Sequence, residues 1–171
     1  MSIQIYTSYY LEHERLYQDI FLMTQGLKQI YPDYEKWYWN KFIEGLKKGE
    51  RLYAISSKHG ILNGCALLKK TPMENKISTL YVDDYYRHQG IGEMLMNASL
   101  SELGKHPLMT VSERCLKAYL PLVRQFKFRL TGCQEISDGS TEYIFNGFAP
   151  RHIKRRAIQQ IRKIIPEKER G

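Results

Sequence analysis

The stretch Thr79-Leu80-Tyr81-Val82-Asp83-Asp84-Tyr85-Tyr86-Arg87-His88-Gln89-Gly90-Ile91-Gly92-Glu93 constrains this chain more than any other. A β-branched and aromatic run, Lys76–Val82, leads into it. Beyond it, apolar residues recur at Ile91, Met94, Leu95, Ala98 and Leu103 with helical spacing, stopping at Gly104. The order is therefore strand, short loop, helix start. Gly90 and Gly92 lack a Cβ, so the backbone there can pass close to a ligand. The amides from His88 to Glu93 fall at the helix N-terminus, where unbonded N–H groups and the helix dipole suit an anion such as a pyrophosphate. Arg87 and His88 add positive charge at the rim. A nucleotide P-loop is excluded, because no Gly-Lys-Ser/Thr follows. The bland alternative is that the two glycines only close a tight turn.

The rest of the chain reads as alternating periods. Residues 2–6 alternate like a strand. Ser8 is placed to cap a helix carrying Leu16, Ile20, Met23 and Leu27. After Pro32-Asp33 a second helix carries Tyr34, Trp37, Tyr38, Phe42 and Leu46, and ends at Gly49. Residues 51–57 and 61–70 read as strands joined by Lys58-His59-Gly60. Pro107–Val111 is a short strand. Residues 114–126 are a helix in which Pro121 implies a kink or a late start. Residues 128–136 and 141–146 are strands around Asp138-Gly139.

Composition limits the classes. A chain of 171 residues forms one domain and buries about 70% of its unfolded surface, so its core needs no disulfides. The three cysteines, Cys65, Cys115 and Cys133, show no C-x-x-C pairing, which fits reduced thiols in a cytoplasm. Neither a secretion signal nor a membrane-spanning run is visible. The net charge of +8 is concentrated: residues 151–171 hold eight Lys/Arg and two Glu, against 18 Lys/Arg and 16 Asp/Glu in the other 150.

Arg87-x-x-Gly90-x-Gly92, preceded by Leu80-Tyr81-Val82 on a strand and followed by an amphipathic helix, resembles the acetyl-CoA signature of the GNAT N-acetyltransferase superfamily. The element order resembles that fold over about residues 2–146. The resemblance implies an α/β fold: a mixed, mostly antiparallel central sheet of six to seven strands flanked by helices. It also implies that the backbones of Leu80, Tyr81 and Val82 hold the pantetheine arm like a strand. The backbones of His88, Gln89, Gly90, Ile91, Gly92 and Glu93 would cradle the pyrophosphate. The cosubstrate is then acetyl-CoA, with no metal. The activity is acetyl transfer to a primary amine in a ternary complex.

The chemistry needs a deprotonated amine, a polarised thioester carbonyl and a proton for the departing thiolate. The resemblance assigns the second task to a backbone amide at Val82 or its neighbour, freed by a bulge. The third falls on a helical tyrosine four residues before a Gly-Phe pair. The matching pair here is Lys127-Phe128, and counting back gives Val123, which carries no proton. Tyr119, one turn earlier on the same face, is the expected substitute acid, against a plain core role. No general base is assigned. Glu74, Ser78, Thr79, Thr110, Ser112 and Glu113 are the side chains in range, and a water relay leaves no sequence trace.

Residues 149–171 form a basic appendage to a domain of residues 1–148. Within it Ile153, Ala157, Ile161 and Ile164 or Ile165 make one apolar stripe, with the basic residues off it. The stripe docks on the body or on a second copy in a homodimer, or the helix binds RNA or tRNA. A membrane surface is disfavoured, since no Trp or Phe anchors the stripe. Two functions stay open: an N-acetyltransferase whose amine acceptor is tRNA- or protein-linked, and a non-catalytic module that senses acyl-CoA or binds nucleic acid.

Overall fold

The structure, a computed structural model, describes residues 2–136, 138–147 and 151–165. The chain divides into two compact units, Met1–Lys105 and His106–Gly171. Seven strands and six α-helices are assigned among the described residues, which is the α/β class expected.

The first unit holds β1 (Ser2–Tyr6), β2 (Arg51–Lys58), β3 (Ile61–Lys70) and β4 (Asn75–Val82), paired antiparallel in that order. Its helices are α1 (Glu14–Thr24), α2 (Tyr34–Trp37), α3 (Glu44–Lys47) and α4 (Ile91–Leu103). His59 (φ 53°) and Gly60 (φ 77°) turn β2 into β3 with two left-handed residues, the arrangement that matches strand twist in a tight hairpin. Residues of opposite parity face opposite sides of the sheet. Tyr53, Ile55, Cys65 and Leu67 pack with Tyr17, Ile20, Phe21, Tyr34, Tyr38 and Phe42 in one core. On the other parity, Gly64 meets α4.

Two local expectations change. Ser8 does not cap the first helix. Tyr10 is still extended (φ −127°, ψ 126°), its amide donates to the Tyr17 hydroxyl at 3.0 Å, and α1 starts only after a 3-10 turn, Leu11–His13. Tertiary bonding by a buried tyrosine thus outcompetes a local cap. The second expected helix is continuous over Tyr34–Lys47 but carries a π-helical segment, Tyr38–Ile43, between α2 and α3.

The second unit holds β5 (Leu108–Ser112), α5 (Glu113–Gln125), β6 (Leu130–Glu135), β7 (Thr141–Phe145) and α6 (Arg151–Ile164). The strand β7 lies between β5 and β6, with Tyr143 opposite both Val111 and Cys133. The helix α5 starts well before Pro121, at an Ser112 cap whose hydroxyl accepts from Arg114 N at 3.4 Å, so no late start occurs. The helix α6 packs on β6. Ala157 and Ile165 are buried, while Lys154, Arg155, Arg156, Arg162 and Lys163 are exposed. Gln160 bridges inward: its Nε2 donates to Thr141 Oγ1 at 3.4 Å and its Oε1 lies 3.2 Å from Cys133 Sγ. The expected boundary at 148/149 and residues 166–171 lie outside the described residues.

Candidate acyl-donor site

The strand β4 stays in register with β3 up to the loop. Asp83 N donates to Asn63 O at 3.1 Å. Opposed residues in an antiparallel ladder alternate between bonded and non-bonded pairs. Val82, opposite Gly64, and Leu80, opposite Ala66, therefore turn their N–H and C=O away from β3, while the Tyr81 backbone faces Cys65. Of the three residues expected to hold an extended ligand, Leu80 and Val82 turn backbone groups away from β3, whereas Tyr81 turns its own towards it. The bulge between β3 and β4 is not at Val82. Leu67 pairs with Thr79 and Leu68 with Ile77, which leaves Ser78 as the extra residue.

The loop after β4 is built by backbone capping. Asp83 Oδ1 accepts from Tyr85 N at 3.1 Å and starts a 3-10 turn, Asp84–Tyr86. Arg87 is drawn back over it: Nε donates to Val82 O at 3.2 Å, and Nη2 pairs with Asp84 Oδ1 at 2.5 Å. Two left-handed residues then follow, His88 (φ 60°) and Gly90 (φ 79°), one on either side of Gln89. Left-handed residues alternating with ordinary ones turn successive N–H groups to one side, a concavity that takes anions. Gly90 is also the residue on which α4 starts, and the first α-helical bond runs from Met94 N to Gly90 O at 3.0 Å. The helix supplies no i−4 acceptor to the amides before Met94. A Cβ at Gly90 would touch nothing within 4 Å, so the space over the loop is open. These residues fit a diphosphate.

Sequence reasoning missed Gly64. A Cβ there would stand 3.0 Å from Ile91 Cγ2, Leu95 Cδ1 and Tyr81 O. Its absence lets α4 sit close on β3 and β4, which fixes the helix N-terminus beside the strand. The available signal was an isolated glycine inside a strand pattern.

The side chain of Tyr81 packs against the core, and burial raises its phenol above the ordinary value, with Asp84 and Asp83 adding to the effect. Tyr119 lies in α5, half-buried, in the second unit. Val123 is explained by the end of that helix. Phe128 N donates to Val123 O at 2.9 Å, Lys127 takes φ 56°, and Val123 and Phe128 are both buried. That is a Schellman cap with lysine in the position glycine usually takes, and with buried apolar residues at the two positions it joins. Among the described residues no three His, Cys, Asp or Glu side chains form a metal-binding group, and no helix is long and apolar enough to cross a membrane.

The family model described as the acetyltransferase (GNAT) domain matches residues 22–139. Solved structures share the fold. The Escherichia coli ribosomal-protein-S18-alanine N-acetyltransferase matches with a TM-score of 0.61 at 16% identity, covering 84% of this chain and 92% of that one. An aminoglycoside 6'-N-acetyltransferase complexed with coenzyme A gives 0.59 at 11%, covering 88% and 99%. The Thermoplasma acidophilum PaiA N-acetyltransferase, also in complex with coenzyme A, gives 0.57 at 17%, covering 84% and 98%. No curated protein matches this chain in sequence. Since the family match takes in β4, the left-handed loop and α4 together with α5, the chain belongs to the acetyltransferase (GNAT) domain family.

Proposed function

We propose that this chain is an acetyl-CoA-dependent N-acetyltransferase that passes acetyl directly to a primary amine bound beside the cosubstrate. The observation that carries the reading is the pair His88 and Gly90, both left-handed, at the start of α4 immediately after a strand with outward-turned backbone groups. His88, Gln89, Gly90, Ile91, Gly92 and Glu93 would hold the diphosphate by backbone, with Arg87 at the rim. Leu80 and Val82 would hold the pantetheine arm, with Tyr81 completing the strand. Acetyl-CoA supplies a thioester whose carbonyl gains negative charge as the amine adds. An arm that runs back along β4 from the loop would carry that oxygen towards the bulge at Ser78, so the Val82 amide expected for it would bond the arm instead and an amide nearer Ser78 would meet the oxygen. Tyr119 would return a proton to the departing thiolate. Holding amine and thioester together supplies much of the rate whatever side chain removes the amine proton.

In this reading residues 1–148 are the catalytic domain and residues 149–171 a basic appendage, and the protein works in the cytoplasm. The exposed basic face of α6 supports an acceptor carried on RNA, such as tRNA; the Escherichia coli neighbour suggests a protein N-terminal amine instead. The second reading, a non-catalytic module that senses acyl-CoA, is favoured by one observation: Val123, where the family pattern expects a phenol, is a buried apolar residue whose carbonyl takes the capping bond from Phe128 N.

The test is thermal shift with acetyl-CoA, CoA and dephospho-CoA, followed by CoA release in the presence of amines and tRNA. Acetyl-CoA at a hundredfold excess over its dissociation constant stabilises by about 2.7 kcal/mol. That shift should vanish in Gly90→Glu, which places a carboxylate at the diphosphate. Binding without CoA release on any amine or tRNA would select the sensor. Turnover unchanged in Tyr119→Phe would remove Tyr119 from the mechanism. Affinity for tRNA that is indifferent to salt would remove the RNA-linked acceptor.

A further inference from the structure

Arg51 opens β2 in the first unit, and the fold makes room for it. A Cβ on Gly45, in α3, would stand 2.4 Å from Arg51 Cγ, so only glycine lets the side chain pass. The guanidinium lies over the Trp37 ring, 5.8 Å from its centroid, and Nη1 donates to Ser78 Oγ at 3.0 Å. It is half-buried, and burial lowers its pKa from the usual arginine value. Glycine, tryptophan and serine thus fix the cation in one place.

Nothing neutralises it at contact. Among the described residues no carboxylate lies within ion-pair distance of Arg51. The nearby Glu74 is bonded to Lys69 at 2.8 Å, and Glu50 acts only at longer range. A guanidinium has five N–H donors in a rigid plane, and among the described residues Ser78 Oγ is the one acceptor they meet. A half-buried charge with unfilled donors is costly to keep and cheap to satisfy with an oxyanion that accepts two parallel bonds.

The position connects this group to the proposed chemistry. Ser78 is the bulged residue of β4, next to Thr79 and two before Leu80. A pantetheine arm that starts at the glycine loop and runs back along Val82, Tyr81 and Leu80 carries its thioester towards Thr79 and Ser78. Tyr34, whose hydroxyl donates to Thr24 Oγ1 at 2.9 Å and also meets Thr79, walls the same face of the strand. We infer that Arg51 recognises an oxyanion on the acceptor, so that the substrate is a primary amine carrying a carboxylate or a phosphate. This inference rests on the acetyltransferase reading, and the experiment separates the two.

Four amines of similar length serve as acceptors: 3-aminopropanoate, aminoethyl phosphate, propylamine and 1,3-diaminopropane. CoA release is measured on the full chain and on Arg51→Met, Arg51→Lys and Ser78→Ala. The expected result is at least a tenfold higher kcat/KM for one of the two anionic amines, carried by KM. Arg51→Met should erase that preference, and Arg51→Lys should restore part of it. Ser78→Ala, which leaves the charge but loosens its anchor, should cost about threefold in KM for the anionic amine and covers the case in which Arg51→Met does not fold. The carboxylate and phosphate arms show which oxyanion fits. Equal use of all four amines, or a preference that survives in Arg51→Met, overturns the inference. A failure of acetyl-CoA to raise the melting point overturns the acetyltransferase reading instead. In that event calorimetric titration with 3-aminopropanoate and aminoethyl phosphate still decides on Arg51, since binding by neither overturns it.

Discussion

Arg87 donates from Nε to the carbonyl oxygen of Val82 at 3.2 Å, closing the loop back onto the strand it left. The same guanidinium holds Asp84, so one cation ties the strand end and the turn together beside the proposed diphosphate cradle. Arg87→Ala should weaken acetyl-CoA binding threefold to tenfold, about 1 kcal/mol for one partly exposed charge-assisted bond. Asp84→Ala should leave binding equal or slightly tighter, because it releases the guanidinium to the ligand. Calorimetric titration of both variants checks this, and unchanged affinity in Arg87→Ala would remove the residue from the site.

Lys127 pays for a conformation that suits glycine, with φ 56° at the end of α5. Left-handed backbone costs a side-chain-bearing residue about 1–2 kcal/mol. Part of that is returned when the more flexible glycine must be ordered. Lys127→Gly should therefore stabilise the protein by about 0.5–1 kcal/mol, read as a higher urea midpoint at constant slope. Lys127→Val, β-branched at the same angle, should lower the midpoint.

The Tyr143 hydroxyl is buried with no hydrogen-bond partner among the described residues, and burial pushes the phenol up to about 12, with Glu113 and Cys133 adding to the shift. A buried donor left unmade is a cost, and deleting it leaves the ring packing intact. Tyr143→Phe should raise stability by about 1 kcal/mol. A loss of stability in that variant would mean that the hydroxyl has a partner in solution.

Asp138 carries a pH dependence. Its Oδ1 accepts from the Ser140 hydroxyl at 2.5 Å and from the Ser140 amide at 2.9 Å, and its Oδ2 pairs with Arg114 at 3.0 Å. The Ser140 bonds, with help from Arg114, hold its carboxyl below the ordinary aspartate range. A lowered folded-state value means that the contribution is present above the unfolded pKa, about 3.9, and is lost as pH falls through the folded value. Asp138→Asn should thus cost stability at pH 7 and almost nothing at the acid end. Melting curves of both proteins across that range should converge as pH falls.

What could be read from the sequence was local, and what could not was long-range. Gly90 and Gly92 stand out because a strand pattern and a helix pattern meet at them, and both patterns depend only on near neighbours. The left-handed angle at His88 was not legible, because a histidine carries no mark of it. Arg51 carries no mark of its own at a strand start; the groups that define it come from two other segments, Trp37 and Gly45 from the Tyr34–Lys47 helix and Ser78 from β4. Ser8 misled for the same reason in reverse. It has a cap's chemistry, but the Tyr10 amide goes to a phenol seven residues away. Val123 was read as a missing acid, whereas its place in the structure is a hydrophobic seal on a helix end.

The π-helical segment Tyr38–Ile43 sets a rotational phase for everything downstream of it in that helix. The segment holds one residue more than the same turns of α-helix would, so tightening it to the usual pitch with every residue kept would swing the following turn by about 100°. Gly45 would then leave its place beside Arg51, and a bulky neighbour would arrive instead. Deleting one residue, for instance the exposed Asn40, would let the segment close to ordinary pitch with Gly45 still in place, so the arginine's seat rests on a one-residue surplus in the helix before it.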